Sequence, residues 1–110
     1  MFHMLSCFDL KPGEDIETFR KAYDDFATFM KSVDLVADSG PVGLRQSDTP
    51  MDTDDERNHQ YFAIMSFRDR AQVDAAYAYI KKHLEPGESS HNGVYERVEK
   101  PVFICWQDLP

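Results

Sequence analysis

Between Asp15 and Val33 the apolar residues Ile16, Phe19, Tyr23, Phe26, Met30 and Val33 recur at alternating steps of three and four. That spacing lines them along one side of a helix, and Glu17, Lys21, Asp24, Asp25 and Lys31 fall between them toward water. Elsewhere the pattern alternates residue by residue. Phe2, Met4 and Phe8 alternate with His3, Leu5 and Cys7, and Tyr61, Ala63, Met65 and Phe67 alternate with Phe62 and Ile64. Near the C-terminus, after Pro101, Val102, Ile104 and Trp106 alternate with Phe103, Cys105 and Gln107. Each of these stretches reads as a strand, and each is largely apolar on both faces.

Turn and capping residues separate these elements. Lys11-Pro12-Gly13-Glu14-Asp15 is turn chemistry leading into the first helix, with Asp15 as its N-cap. Asp69 caps a second helix, with Gln72 as its capping-box partner; Val73, Ala76, Tyr77, Ile80 and Leu84 form the inner stripe and Pro86-Gly87 the end. Val36 and Val42-Gly43-Leu44 look strand-like, but Ser39-Gly40-Pro41 predicts a bend that keeps this strand at a sheet edge. Residues 47–59 form a polar, acidic surface loop. Residues 89–98 read two ways: Val94, Tyr95 and Val98 share a face if helical, whereas Asn92-Gly93 favours a break.

The predicted order is strand, helix, strand, strand, helix, strand over one domain, residues 1–110. That is the α+β, ferredoxin-like βαββαβ arrangement: a four-stranded antiparallel sheet with two helices on one face. Right-handed crossovers put the first and third strands in the middle and the last beside the first. Two helices cover only one side, yet the strands are apolar on both. An uncovered face of Phe, Met and Trp would exceed the roughly 300–600 Å² patch of an ordinary monomer. A second copy is the simplest cover, giving a homodimer through the sheet faces.

Composition narrows the partners. The 110 residues are 42% apolar and 13% aromatic, as in a folded domain, and carry a formal charge of −8. No Lys/Arg cluster offsets that charge, so nucleic acid and anionic membrane are excluded as expected partners. No apolar run approaches the ~20 residues of a membrane helix, and no secretory leader is expected, so the reading is a cytoplasmic protein. Cys7 and Cys105, both in apolar strands, are expected as small core residues.

Polar side chains that interrupt apolar strands are the candidates for chemistry. His3 and Cys7 share a strand face with Leu5, Tyr61 shares one with Met65 and Phe67, Trp106 lies on the last strand, and His91 lies in the stretch before it. A neutral imidazole accepts a proton near neutral pH, which makes His91 and His3 the candidate bases. Tyr61 and Trp106 combine apolar contact with a hydrogen-bonding tip suited to orienting a ligand. Arg45 is either a partner for a ligand carboxylate or a solvated edge residue. The bland readings are a half-exposed polar residue for His3 and packing for Tyr61 and Trp106. No metal or other cofactor is expected: His3, His59, His83 and His91 lack His-x-x-x-His spacing, there is no Cys-x-x-Cys, and Asp52-Thr53-Asp54-Asp55-Glu56 lacks the glycine and spacing of a calcium loop.

The short first strand, Lys11-Pro12-Gly13 leading into an aromatic helix, and the C-terminal run Phe103-Ile-Cys-Trp106-Gln-Asp-Leu109 resemble the dimeric α+β barrel proteins, and the likeness spans nearly the whole chain. The resemblance implies paired sheets and a small-molecule pocket between the sheet and the helices or loops of each protomer. With the apolar candidate lining, it implies a small fatty-acid- or polyketide-like ligand and, if catalytic, a cofactor-free oxygenase, isomerase or cyclase. The alternative is a non-catalytic structural or interaction module whose aromatic face only makes the dimer.

Overall fold

The computed structural model describes residues 1–110. Strand β1 (Phe2–Leu10) leads through a turn at Pro12-Gly13, closed by the Glu14 N–H donating to the Lys11 carbonyl at 3.0 Å. Gly13 sits there at φ +86°, a left-handed conformation that glycine adopts without the penalty of a Cβ. Helix α1 (Ile16–Ser32) follows, with the Asp15 carboxylate accepting from the Thr18 N–H at 3.0 Å as expected of an N-cap. Phe19, Tyr23, Phe26 and Met30 are buried, while Val33, predicted in the stripe, is the exposed C-cap.

The second predicted strand is broken as its Gly-Pro pair implies. It survives as two short pieces, β2 (Asp38–Ser39) and β3 (Gly43–Leu44), both paired with β4 (Tyr61–Phe67). β4 pairs antiparallel with β1, and β1 with β5 (Val98–Gln107), giving the order β2-β4-β1-β5 with β3 also beside β4. β1 and β4 are therefore central and β5 is an edge beside β1, as the crossover argument requires. Pro101 lies inside β5, not at its start, and an edge strand tolerates it.

Helix α2 (Arg70–Lys81) is capped by Asp69, which accepts from the Gln72 N–H at 2.9 Å. Gln72 does not close the predicted capping box. Its buried side chain accepts from the Arg68 N–H at 2.8 Å and donates to the Asp34 carbonyl at 3.1 Å, fastening α2 to the end of α1. The predicted inner stripe is also too long, for Tyr77 and Leu84 are exposed. The helix stops at Lys81 before Leu84, and Tyr79 turns inward to meet Phe29 at 6.1 Å. Pro86-Gly87 does not end α2 but starts a third helix, α3 (Gly87–Tyr95), which runs through Asn92-Gly93. The ambiguous stretch is thus helical through Tyr95, while Val98 already opens β5, and three helices cover one face instead of two.

Opposed strand positions share a face of the sheet. Phe2, Met4, Ser6 and Phe8 of β1 point toward the helices with Tyr61, Ala63, Met65, Phe67, Phe103 and Cys105. His3, Leu5 and Cys7 point to the opposite, open side with Phe62, Ile64, Ser66, Ile104 and Trp106. The buried core lies between the inner face and the helices, around Phe8, Phe19, Phe26, Met30, Met65 and Phe67. On the open side, Ile64, Ile104 and Trp106 are each 41% exposed. The two cysteines part company across this divide: Cys7 is buried, whereas Cys105 is exposed and on the other face.

Candidate functional site

A cavity of about 90 Å³ lies between the inner sheet face and helices α1 and α3. The sheet contributes Met4, Ser6, Phe8, Met65 and Phe103 to its wall. α1 contributes Phe19, Tyr23 and Phe26, and α3 contributes His91, Val94 and Tyr95. A second cavity of about 180 Å³ continues toward α2, lined in part by Phe67, Val73 and Ala76. Met4, Phe26, Met65 and His91 border both spaces.

Besides the half-exposed Tyr95, three polar side chains line this apolar volume. The His91 ring is held between aromatic neighbours, 5.7 Å from Tyr95 in a stacked arrangement and 5.6 Å from Phe26. Burial lowers its affinity for a proton below the ordinary histidine range, with Glu88 pulling weakly the other way, so the ring stands neutral near pH 7. Tyr23 is only 6% exposed, and burial, helped by Asp24, pushes its hydroxyl pKa up to about 12. It is a phenol, not a phenolate. Ser6 sits in phase with Met4 and Phe8 on β1, which brings its hydroxyl to the same wall. None of these three side chains finds a hydrogen-bond partner inside the protein, and no Lys, Arg, Asp or Glu lines either cavity.

The residues singled out from the sequence divide between different places. His91 and Met65 come together at the cavity, and Phe67 lines the neighbouring one. Tyr61 is on the same face but outside both, stacked on Phe8 at 5.8 Å. His3, Leu5, Cys7 and Trp106 are on the far side of the sheet, so they belong to a different surface from Tyr61, Met65 and Phe67. There His3 Nδ1 meets Ser66 Oγ at 2.8 Å, its Nε2 meets Asp108 at 3.0 Å, and its ring lies 5.1 Å from Trp106. This trio ties the C-terminal tail to the sheet.

Arg45 is not a solvated edge residue: its guanidinium is engaged within its own loop. Its Nε and Nη2 donate to Asp52 at 2.8 Å each, Nη2 also donates to the Asp54 carbonyl at 2.7 Å, and Nη1 donates to the Arg57 carbonyl. These bonds fold the acidic loop back on itself at the edge of the sheet, near Cys7. His59 in that loop is buried, with Nε2 against the Lys100 carbonyl at 2.7 Å and Nδ1 unpartnered. No three His, Cys, Asp or Glu side chains assemble into a metal-holding group.

Tyr23, Ser6, Phe8 and Phe26 were not singled out from the sequence as site residues. Tyr23 is a position of the α1 stripe and was absorbed into the core. One signal was available: it is the only stripe residue carrying a hydroxyl, as Ser6 is the only polar residue in phase with Phe2, Met4 and Phe8.

No protein-family model matches the sequence, and no curated protein is detectably similar to it. Solved structures match its fold. At3g17210 from Arabidopsis thaliana superposes with a TM-score of 0.74 at 12% identity, covering 100% of this chain and 97% of that one. A dimeric ferredoxin-like protein from Jannaschia sp. CCS1 gives 0.68 at 11%, covering 97% and 98%. An antibiotic biosynthesis monooxygenase gives 0.63 at 15%, covering 100% of both chains. At such identities the likeness concerns architecture and carries no reaction across. Strand order, helix placement and these superpositions agree: the chain has a ferredoxin-like α+β fold.

Proposed function

We propose that two copies of the chain pair through their open sheet faces, and that each binds a small, largely apolar molecule in the cavity beneath α1 and α3. The observation that carries this reading is an apolar cavity whose wall presents a neutral imidazole, His91, with no partner in the protein. Pockets of this make-up, mostly apolar with a few convergent polar groups, are where small molecules bind. His91 is then the proton acceptor. Cofactor-free oxygenation, isomerisation and cyclisation can each start by removing a proton from a carbon beside a carbonyl, and a neutral imidazole is matched to that step. The same-fold monooxygenase is in keeping with such chemistry. Pairing is supported by the apolar, helix-free face around Leu5, Ile64, Ile104 and Trp106, and by same-fold structures from Jannaschia and Thermobifida fusca described as dimeric.

Native mass spectrometry of the freshly purified protein, repeated under denaturing conditions, tests both parts. A dimer with extra mass released on denaturation is expected. A bare monomer overturns the pairing. The second reading, an interaction module without a ligand, draws on the modest size of the cavity. Saturable displacement of a hydrophobic dye by small apolar molecules is expected under the first reading, and its absence would favour the second.

A further inference from the structure

Resting on that cavity, we infer that its ligand is electrically neutral and bears a hydrogen-bonding oxygen, as a ketone, enol or phenol does, and that the Tyr23 hydroxyl donates to that oxygen. Two independent features of the wall lead there. The first is what is left unpaired. Tyr23 lines the cavity, and its hydroxyl, which is not sealed among protein atoms, makes no hydrogen bond within the protein. A ligand that fills the cavity takes this hydroxyl out of reach of water and must replace the hydrogen bond. Ser6 and His91 leave two further polar groups unpaired on the same wall, which is otherwise almost wholly apolar. A ligand oxygen would satisfy donors that nothing in the fold satisfies.

The second feature is what the wall lacks. No Lys or Arg borders either cavity. Arg97 on the segment after α3 is already engaged, donating to the Gly93 carbonyl and to Glu14, each at 2.8 Å. A carboxylate or phosphate would therefore lose its water with no cation to replace it, inside a chain of formal charge −8. Burial also keeps Tyr23 protonated and His91 neutral, so both match an uncharged partner. This narrows the ligand expected from the sequence: the fatty-acid-like half of that expectation is disfavoured, and an oxygenated neutral molecule of polyketide-like chemistry is retained.

Three probes of matched size separate the terms at pH 7: acetophenone, ethylbenzene and benzoate, titrated by calorimetry into the intact protein. Acetophenone is expected to bind more tightly than ethylbenzene, and benzoate at least roughly tenfold more weakly than acetophenone. Tyr23→Phe, which removes only the unpaired hydroxyl, should weaken acetophenone roughly five- to tenfold and leave ethylbenzene unchanged. Benzoate binding as tightly as acetophenone overturns the inference, as does a Tyr23→Phe protein that keeps full affinity for the ketone. Either result leaves the cavity itself standing as long as ethylbenzene binds. Failure of all three probes removes the cavity reading and the inference together. The ranking of the probes on the unaltered protein decides the matter even if the variant does not fold.

Discussion

His91 shows how one side chain takes its chemistry from its surroundings. In sequence it stands in Ser89-Ser-His-Asn-Gly93, a context that suggests a solvated loop. In the structure it is packed among Phe26 and Tyr95, and burial lowers its pKa from 6.5. Below about pH 6.5 the unfolded chain therefore binds more protons than the folded one, so stability falls as pH is lowered through this window and recovers above it. Melting temperatures followed between about pH 5 and about pH 7.5 should show this slope, and His91→Gln should flatten it. Arg45 yields a second test. Its bonds to Asp52 and to two loop carbonyls hold the loop near Cys7, which is 2% exposed. Arg45→Met should raise the rate at which a thiol reagent labels Cys7 by roughly tenfold. Cys105, already exposed, serves as the internal reference and should be unaffected. The carboxylates of this loop act at acid pH. Arg57 holds Asp54 at about 2, below the ordinary 3.8, so its contribution to stability is complete above the unfolded value and is lost as pH falls toward 2.

At the scale of elements, α1 was legible because its stripe needs no partner to be recognised, and because Asp15 and the Pro12-Gly13 turn mark its start. α3 was not. Asn92-Gly93 argues locally for a break, and the helix persists because it packs on α1 and α2. Its two glycines make opposite predictions. A Cβ on Gly87 would stand 2.2 Å from the Tyr79 ring, so in Gly87→Ala either that ring or the start of α3 must shift. A loss of about 1–3 kcal/mol in urea denaturation is expected, with weakened ligand binding because α3 carries His91. A Cβ on Gly93 meets nothing within 4 Å. Gly93→Ala should stabilise the protein by about 0.5–1 kcal/mol, the ordinary cost of glycine inside a helix.

For the molecule as a whole, the open sheet face is the feature that remains to be covered. Leu5, Ile64 and Ile104 lie opposite one another across three strands, with Trp106 beside them. Two-fold pairing would set this row against its own copy, so one substitution acts twice in the interface. Ile104→Asp is expected to convert the dimer to a monomer, read by light scattering on a sizing column. The inner core is untouched by that change, so the far-ultraviolet circular dichroism of the variant should stay native. A dimer that persists through Ile104→Asp would place the interface elsewhere.

The periodicities of the chain determined α1, α2 and the three long strands, though not α3. Together with handed crossovers they determined that β1 and β4 occupy the middle of the sheet, since such signals depend only on neighbours along the chain. They also determined that both faces of the strands are apolar. What they left open was which face the helices take, because alternation is symmetric between the two. The tertiary structure decided it. Covering Phe2, Met4 and Phe8 sent His3, Leu5, Cys7 and Trp106 to the open side, and left Met65 facing His91. It also decided that Tyr23, a core residue, and Ser6 both border a cavity. A side chain's own period tells which way it points, but only the packing of three separate elements determines whether anything meets it there.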